Sequence, residues 1–285
     1  MIELYASIRR KNPIPILMHP FSHEEPLCPG QNPLIIEAVR QVFRHTGGRG
    51  VLVIDRGGDA RVLMEDWLDQ RIPFVVRLRG DRDLLRFYEA LGGAVDGVET
   101  CRDGQWVRVE ARVLAEQIPT PHRWRFLAKS KGRTEVRTCQ VGWVKVRLPG
   151  RPEELTMVVS RMPGRQTPLM LLTSLPVACF CDARRVLRHY RRRWECEEGI
   201  RFLKDQVKVE QVRAFHWTAI CRLVLLCVLV MLYLTCLLEG HAKLAERLII
   251  LSEPLPDNPE LLLYRLVRGL AEVLHACFYL RRALL

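Results

Sequence analysis

The sequence predicts an α/β protein: a mixed sheet flanked by helices, interrupted by a β-rich insertion and closed by a helical C-terminus. Three observations carry that expectation. Apolar strand-like runs alternate with amphipathic helical segments over the first 80 residues, the mark of an α/β core. From about Gly80 to Pro176 the pattern becomes a series of β-patterned runs separated by turn residues. Beyond that the chain is helical almost throughout. The expected organisation is residues 1–80 as the first part of the core, 81–178 as the insertion, and 179–285 as the second part of the core with the C-terminal helices.

Taken in order, "NPIPILMHPF" reads as a short strand, and "NPLIIEAVRQVFRHTGG" as an amphipathic helix ending at glycine. "RGVLVIDRGGDA" reads as a buried strand running into Asp55 and a glycine turn. A carboxylate at the carboxyl end of a central strand lies where such sheets place ligands. "ARVLMEDWLDQRI" has helical spacing and "PFVVRLRG" reads as another buried strand. Within the insertion, "DRDLLRFYEAL" is expected to be helical. "QWVRVEARV", "HRWRFLAKS", "TEVRTCQVGWVKVRL", "ELTMVVSRM" and "TPLMLLTSL" are expected strands. Asp182 then reads as the N-cap of a long helix through Lys204 and slightly beyond. "LVLLCVLVMLYLTCLL", residues 223–238, is continuously apolar but short for a bilayer span and closely bounded by Arg222 and Glu239. It is expected to be a helix buried on all sides of a soluble core rather than a membrane segment.

Composition narrows the function. Of 285 residues, 48% are apolar and 27% charged, an ordinary globular balance. Lys and Arg number 44 against 32 Asp and Glu, a formal charge of +12, which points to a polyanionic partner, nucleic acid first. The ten cysteines form no CxxC pair, so neither a zinc site nor a disulfide framework is expected, and most should be reduced and buried. The N-terminal stretch has no signal-peptide pattern, and a cytoplasmic protein is expected. "RGD" at residues 79–81 reads as a strand-end turn, and "GGRG" and "RGGD" lack the spacing and lysine of a nucleotide loop.

The charged stretch "YRRRWECEEGIRFLK", residues 190–204, sets one carboxylate, Glu197, among cations. At roughly 100° per residue, Tyr190, Arg193, Glu197, Arg201 and Lys204 fall on one stripe of the helix. Charge spacing alone favours a solvated face with i, i+4 ion pairs such as Arg193–Glu197 and Glu197–Arg201, a reading that leaves the tyrosine and the excess of cations unexplained. A phosphodiester would account for both. Arginine and lysine would hold phosphate oxygens, tyrosine would donate a hydrogen bond, and the carboxylate would hold a hard metal ion.

Tyr190-x2-Arg193-x3-Glu197-x6-Lys204 resembles, spacing for spacing, the Tyr-Arg-Glu-Lys motif of bacterial insertion-sequence DDE transposases. "VLVIDRGGD" resembles the second-aspartate motif of that family, with Gly58 where phenylalanine is usual. "IPFVVRLRG" and "LLTSLP" also resemble family stretches. The resemblance implies an RNase H-like core with a β-rich insertion. It implies Asp55 and Glu197 as catalytic, metal-binding carboxylates for Mg²⁺ or Mn²⁺. Tyr190, Arg193, Arg201, Lys204 and Arg56 become the expected DNA phosphate contacts. Double-stranded DNA, as transposon ends and target, is the implied partner, so the protein would be nucleoid-associated when bound. Joining two ends implies two copies, so a homodimer is expected by analogy alone.

The chain departs from that pattern at its start. The family's first catalytic aspartate sits on the opening strand, and here the only carboxylate ahead of "NPIPILMHPF" is Glu3, with no preceding buried strand to fix it. The expectation is therefore a transposase domain truncated before its first aspartate and inactive by itself. The alternative is a non-catalytic DNA-binding remnant.

Overall fold

The structure, a computed structural model, describes residues 2–6, 13–21, 28–87, 106–130, 133–205, 216–252 and 262–283. The chain divides into two compact units, one made of residues 31–193 and the other of residues 1–30 with 194–285. The fold is mixed α/β with a helical C-terminus, consistent with an RNase H-like class.

In the unit spanning 31–193, helix α1 (Gln31–His45) leads to strand β3 (Leu52–Ile54), a single 3-10 turn (Arg56–Gly58) and helix α2 (Arg61–Asp69). Strands β4 (Phe74–Arg77), β5 (Asp83–Phe87) and β6 (Trp106–Glu110) follow, then the short helix α3 (Ala111–Gln117). Strands β7 (His122–Ser130), β8 (Arg133–Arg147), β9 (Leu155–Arg161) and β10 (Leu169–Thr173) complete an eight-stranded sheet. Its order is β3-β4-β10-β9-β8-β5-β6, with β7 also paired to β8. Only the β3–β4 pair is parallel among the described strands. The strands on either side of residue 80 are thus hydrogen-bonded into one sheet, through Leu171, Leu172 and Thr173 of β10 against Arg77, Val76 and Val75 of β4.

The core of this unit forms where helix α4 (Phe180–Asp205) lays its first half on the sheet. Val186, Leu187 and Tyr190 pack with Val75, Val158, Leu171, Trp124 and Cys139. Helix α2 buries Leu63, Met64 and Trp67, and the Trp67 and Phe74 rings lie 5.7 Å apart. These large apolar side chains lose most of their water contact, the main favourable term available to the unit.

The other unit pairs β1 (Ile2–Ala6) antiparallel with β2 (Ile14–His19). It adds the second half of α4 and helices α5 (Trp217–Gly240), α6 (Ala242–Leu251) and α7 (Leu263–Ala283). Phe202, Leu203, Met231, Leu234, Leu248, Leu263 and Leu266 make its core. Gly199 lets α4 come close to its neighbours, since a Cβ there would stand 3.1 Å from Met231 and 3.2 Å from both Pro13 and Tyr5.

Several expectations need correction. β1 occupies a segment for which no element was expected, and its Ile-Glu-Leu-Tyr alternates in the β manner. Residues 83–87, expected to be helical, form β5, because Leu84 and Leu85 are buried between β6 and β8 and cross-strand pairing overrides local helix propensity. "EARV" ends a strand and begins α3, which buries Ala111, Leu114 and Ala115. α4 starts at Phe180, so Asp182 lies in its first turn rather than at the N-cap. β3 is the terminal strand of the described sheet, not a central one, and its residues are half-buried where those of β4 are mostly buried. α5 is not buried on all sides. Val224, Cys227, Met231 and Leu234 face the core, while Leu225, Leu226, Leu229 and Tyr233 are exposed. It is long and apolar enough to cross a membrane by length and composition, with 33% of its most apolar window buried. Of the described cysteines only Cys139 and Cys227 are buried, and Cys179, Cys181, Cys236 and Cys277 are exposed. The "RGD" residues do lie at the turn between β4 and β5. The expected continuation of α4 slightly beyond Lys204 runs into residues 206–215, which lie outside the described residues.

Candidate functional site

Asp55 stands at the carboxyl end of β3, where the chain leaves the sheet and turns. Its Oδ1 accepts a hydrogen bond from the Gly57 backbone N–H at 2.9 Å, which caps the 3-10 turn and fixes the carboxylate. Its Oδ2 is 3.7 Å from Nη1 of Arg193. The Asp55 side chain is half exposed while that of Arg193 is mostly buried, so this arginine is held in place rather than waving in solvent. Gly58 is buried in the same turn, and a Cβ there would come within 2.3 to 2.8 Å of three carbons of Ile54. That packing accounts locally for glycine at this position. Arg56 is exposed on the turn.

Asp59, four residues on, is a carboxylate that no spacing or motif singles out. Its side chain is fully buried, accepting from the Arg79 backbone N–H at 2.6 Å and from Arg82 Nε at 2.7 Å. Arg82 Nη2 also donates to the Asp59 carbonyl at 2.6 Å. A buried carboxylate so fully paired is structural: it ties the Asp55 turn to the β4–β5 turn. No spacing rule connects Asp59 to Arg82, which is why the pair escaped notice.

On α4 the motif residues differ sharply from one another. Tyr190 is buried in the apolar cluster beneath the helix, and its hydroxyl has no hydrogen-bond partner among the described residues. The guanidinium of Arg193 stands 5.5 Å from the centre of the Tyr190 ring. Glu197 is half-buried. Arg201 is exposed and paired with Glu198 at 2.7 Å, and Lys204 is exposed. Asp182 in the first turn reaches back, its Oδ2 accepting from the backbone N–H groups of Ala178 at 3.1 Å and Cys179 at 3.3 Å. This is the inner half of a capping box. Those bonds, the Cys179 thiol and Arg185 hold its carboxyl below the usual range.

Arg191 is a second residue missed in sequence. Its guanidinium lies 3.8 Å from the centre of the Phe126 ring and 5.4 Å from that of Trp124, and Nη2 donates to the Leu127 carbonyl at 2.7 Å. Burial lowers its pKa. Trp143 is stacked on His122 at 5.1 Å, and His122 on Phe180 at 5.0 Å, so this tryptophan packs against the insertion strands.

In the other unit, Glu3 on β1 accepts from the Tyr5 hydroxyl at 3.2 Å. Burial raises its pKa, with Tyr5 and the charge of Lys204 pulling the other way. Burial, with Glu3 alongside, raises the pKa of Tyr5 as well.

A hard divalent cation takes oxygen ligands and usually one or two protein carboxylates. The carboxylates of Asp55 and Glu197 suit that chemistry. Among the described residues no group of three or more His, Cys, Asp or Glu side chains comes together as a metal site. None of the curated proteins compared with the chain matches it. Residues 30–233, most of the chain, match the family model of the transposase DDE domain. The strand-end aspartate, the long charged helix and that match together mean that this chain belongs to the transposase DDE domain family, whose members are enzymes of the polynucleotidyl-transferase type acting on DNA.

Proposed function

We propose that this chain is the catalytic domain of a transposase that works by metal-dependent DNA cleavage and strand transfer, with Asp55 and Glu197 as the metal-holding carboxylates. Residues 1–80 and 179–285 would then contribute the two parts of the catalytic core, and 81–178 the insertion. The observation that carries the reading is the 3.7 Å approach of Arg193 to Asp55, which joins the two sequence motifs in space. Mg²⁺ or Mn²⁺, when bound, supplies the activation of water or a DNA 3′-hydroxyl and the stabilisation of the leaving oxygen.

The protein's own residues do the rest. Arg193, oriented by Asp55 and by the Tyr190 ring, offers a charge-assisted hydrogen bond to a phosphate. The buried Tyr190 hydroxyl, lacking a partner among the described residues, is suited to a phosphate oxygen as acceptor. Arg201, exposed and paired with Glu198, adds a phosphate contact once it exchanges that partner for DNA. Lys204 and Arg56, both exposed, add backbone contacts. The protein works in the cytoplasm, on the nucleoid, with two copies joining two ends.

Asp55 is the first aspartate in the chain, and the family's catalytic set includes an earlier one. We therefore propose that residues 1–285 by themselves bind DNA without cutting it. The half-buried, hydroxyl-bonded Glu3 supports this, because a carboxyl with a raised pKa is a poor replacement ligand for a hard cation. Incubation of the 285-residue chain with supercoiled DNA and Mg²⁺ or Mn²⁺ should give no nicking. Joining to it an upstream segment that ends in an apolar strand and aspartate should give cleavage that Asp55→Ala or Glu197→Ala abolishes. Robust cutting by the 285 residues alone would sink the reading of an incomplete catalytic set. No cutting by the extended chain would leave the alternative, a DNA-binding remnant that competes with intact transposase.

A further inference from the structure

We propose that the β7–β8 hairpin is a DNA-docking ribbon, whose outer face holds the sugar-phosphate backbone through Arg123 and Arg125. The proposal rests on the transposase reading and specifies where, outside the motif helix, the chain grips its substrate.

The hairpin is more than a turn of the sheet. Nine residue pairs join it, from His122 opposite Val141 to Ser130 opposite Arg133. On its other side β8 pairs with β9 only from Gln140 onward. Residues 133–139 of β8 therefore have β7 as their one partner strand among the described residues, and the hairpin extends as a two-stranded ribbon. At about 3.3 Å per residue, the seven pairs of that stretch span roughly 20 Å. The major groove of B-DNA admits a two-stranded ribbon.

Its two faces differ completely. The inner face carries Trp124, Phe126 and Cys139 into the core of the unit against Val186, Leu187 and Tyr190. Arg191 clamps it from α4, stacked over Phe126 and bonded to the Leu127 carbonyl. A guanidinium pulled from water for that purpose makes the ribbon rigid relative to the first half of α4. The outer face carries Arg123, Arg125 and Leu127 on β7 opposite Gln140, Thr138 and Val136 on β8. Both arginines are exposed, and no described acidic residue shares that face. Leu127 and Val136, directly opposite each other, are 66% and 67% exposed, so water is in contact with an apolar pair beside two cations.

Cations with amide, hydroxyl and apolar neighbours on a rigid ribbon suit a duplex backbone and groove floor better than an acidic protein surface. Two positions along one strand are about 6.6 Å apart. Phosphates of one DNA strand rise about 3.4 Å per nucleotide along the axis, so Arg123 and Arg125 can reach phosphates one or two nucleotides apart.

The test is fluorescence anisotropy of a labelled random-sequence duplex with the full chain, over a series of salt concentrations. The double variant Arg123→Ala/Arg125→Ala should lower the slope of log affinity against log salt by about two contacts' worth. Arg123→Lys/Arg125→Lys should restore it. Arg44→Ala, removing an exposed arginine of α1, should leave it unchanged, and circular dichroism checks that all three variants are folded. A folded Ala/Ala variant with unchanged slope overturns the proposal while leaving the transposase reading intact; the arginines would then only keep the edge strand β7 from pairing with other chains. Absence of any salt-dependent binding by the unaltered chain would overturn both.

Discussion

Gly58 shows how one residue records a departure from a family pattern. The motif usually has a phenylalanine there, and here Ile54 of the preceding strand fills the space a side chain would need. Gly58→Ala should therefore destabilise the chain by about 1–3 kcal/mol through overpacking. Adding Ile54→Ala should recover part of that loss. Denaturant titration of the four-member cycle measures the coupling. Strict additivity would mean that the added methyl finds room elsewhere and that Ile54 is not the compensating residue. The same residue scale explains what the sequence could reveal of the site. Asp55, Tyr190, Arg193, Glu197 and Lys204 were legible because their spacing is a linear pattern. Asp59 with Arg82, and Arg191 with Phe126, were not, because those partners meet only after the sheet has formed.

At the scale of elements, legibility followed periodicity. α1, α2, β4, β7, β8, β9, β10 and the charged helix α4 each carry a clear period over enough residues to settle their type. β5 did not, since Leu84 and Leu85 suit either a helix or a strand and only burial between β6 and β8 decides. The start of α4 was misplaced by three residues for a related reason. An aspartate can cap a helix from just outside it or from its third turn position, and Asp182 uses the second geometry. That geometry has a pH signature. The folded state holds the Asp182 carboxyl below its usual pKa, so its stabilising contribution is present in full above the ordinary carboxylate range and fades as pH falls through the lowered value. Asp182→Ala should lower the melting temperature near neutral pH, and the gap from the unaltered chain should close toward strongly acidic pH. A gap independent of pH would mean that the carboxylate charge takes no part in the cap.

For the whole molecule, the least expected feature is the apolar outer side of α5. Uniform hydrophobicity suggested a fully covered helix, yet a single stripe faces the core and Leu225, Leu226, Leu229 and Tyr233 face outward. The buried stripe already packs against α4, α6 and α7 through Met231, Leu234 and Leu237. A helix held in that way cannot present lipid-compatible surface on every side. Alkaline carbonate treatment of cell membranes should therefore release the protein. Retention in the pellet after that wash would make α5 a membrane anchor instead.

The division of the chain into units also sets an order of assembly. Residues 31–193 form one compact unit from a single uninterrupted stretch. The other is built from both chain ends, and β2 rests on α5, some two hundred positions later in the sequence. As the chain leaves the ribosome, the central stretch can collapse as soon as α4 is half emerged, while the β1–β2 hairpin must wait for the apolar helices before its covering surface exists. Closing so long a loop is entropically costly and slow. During that interval a two-stranded hairpin, marginal by itself, and then an uncovered α5 are the parts most in need of chaperone protection, so yield on expression should depend more on the C-terminal helices than on the sheet.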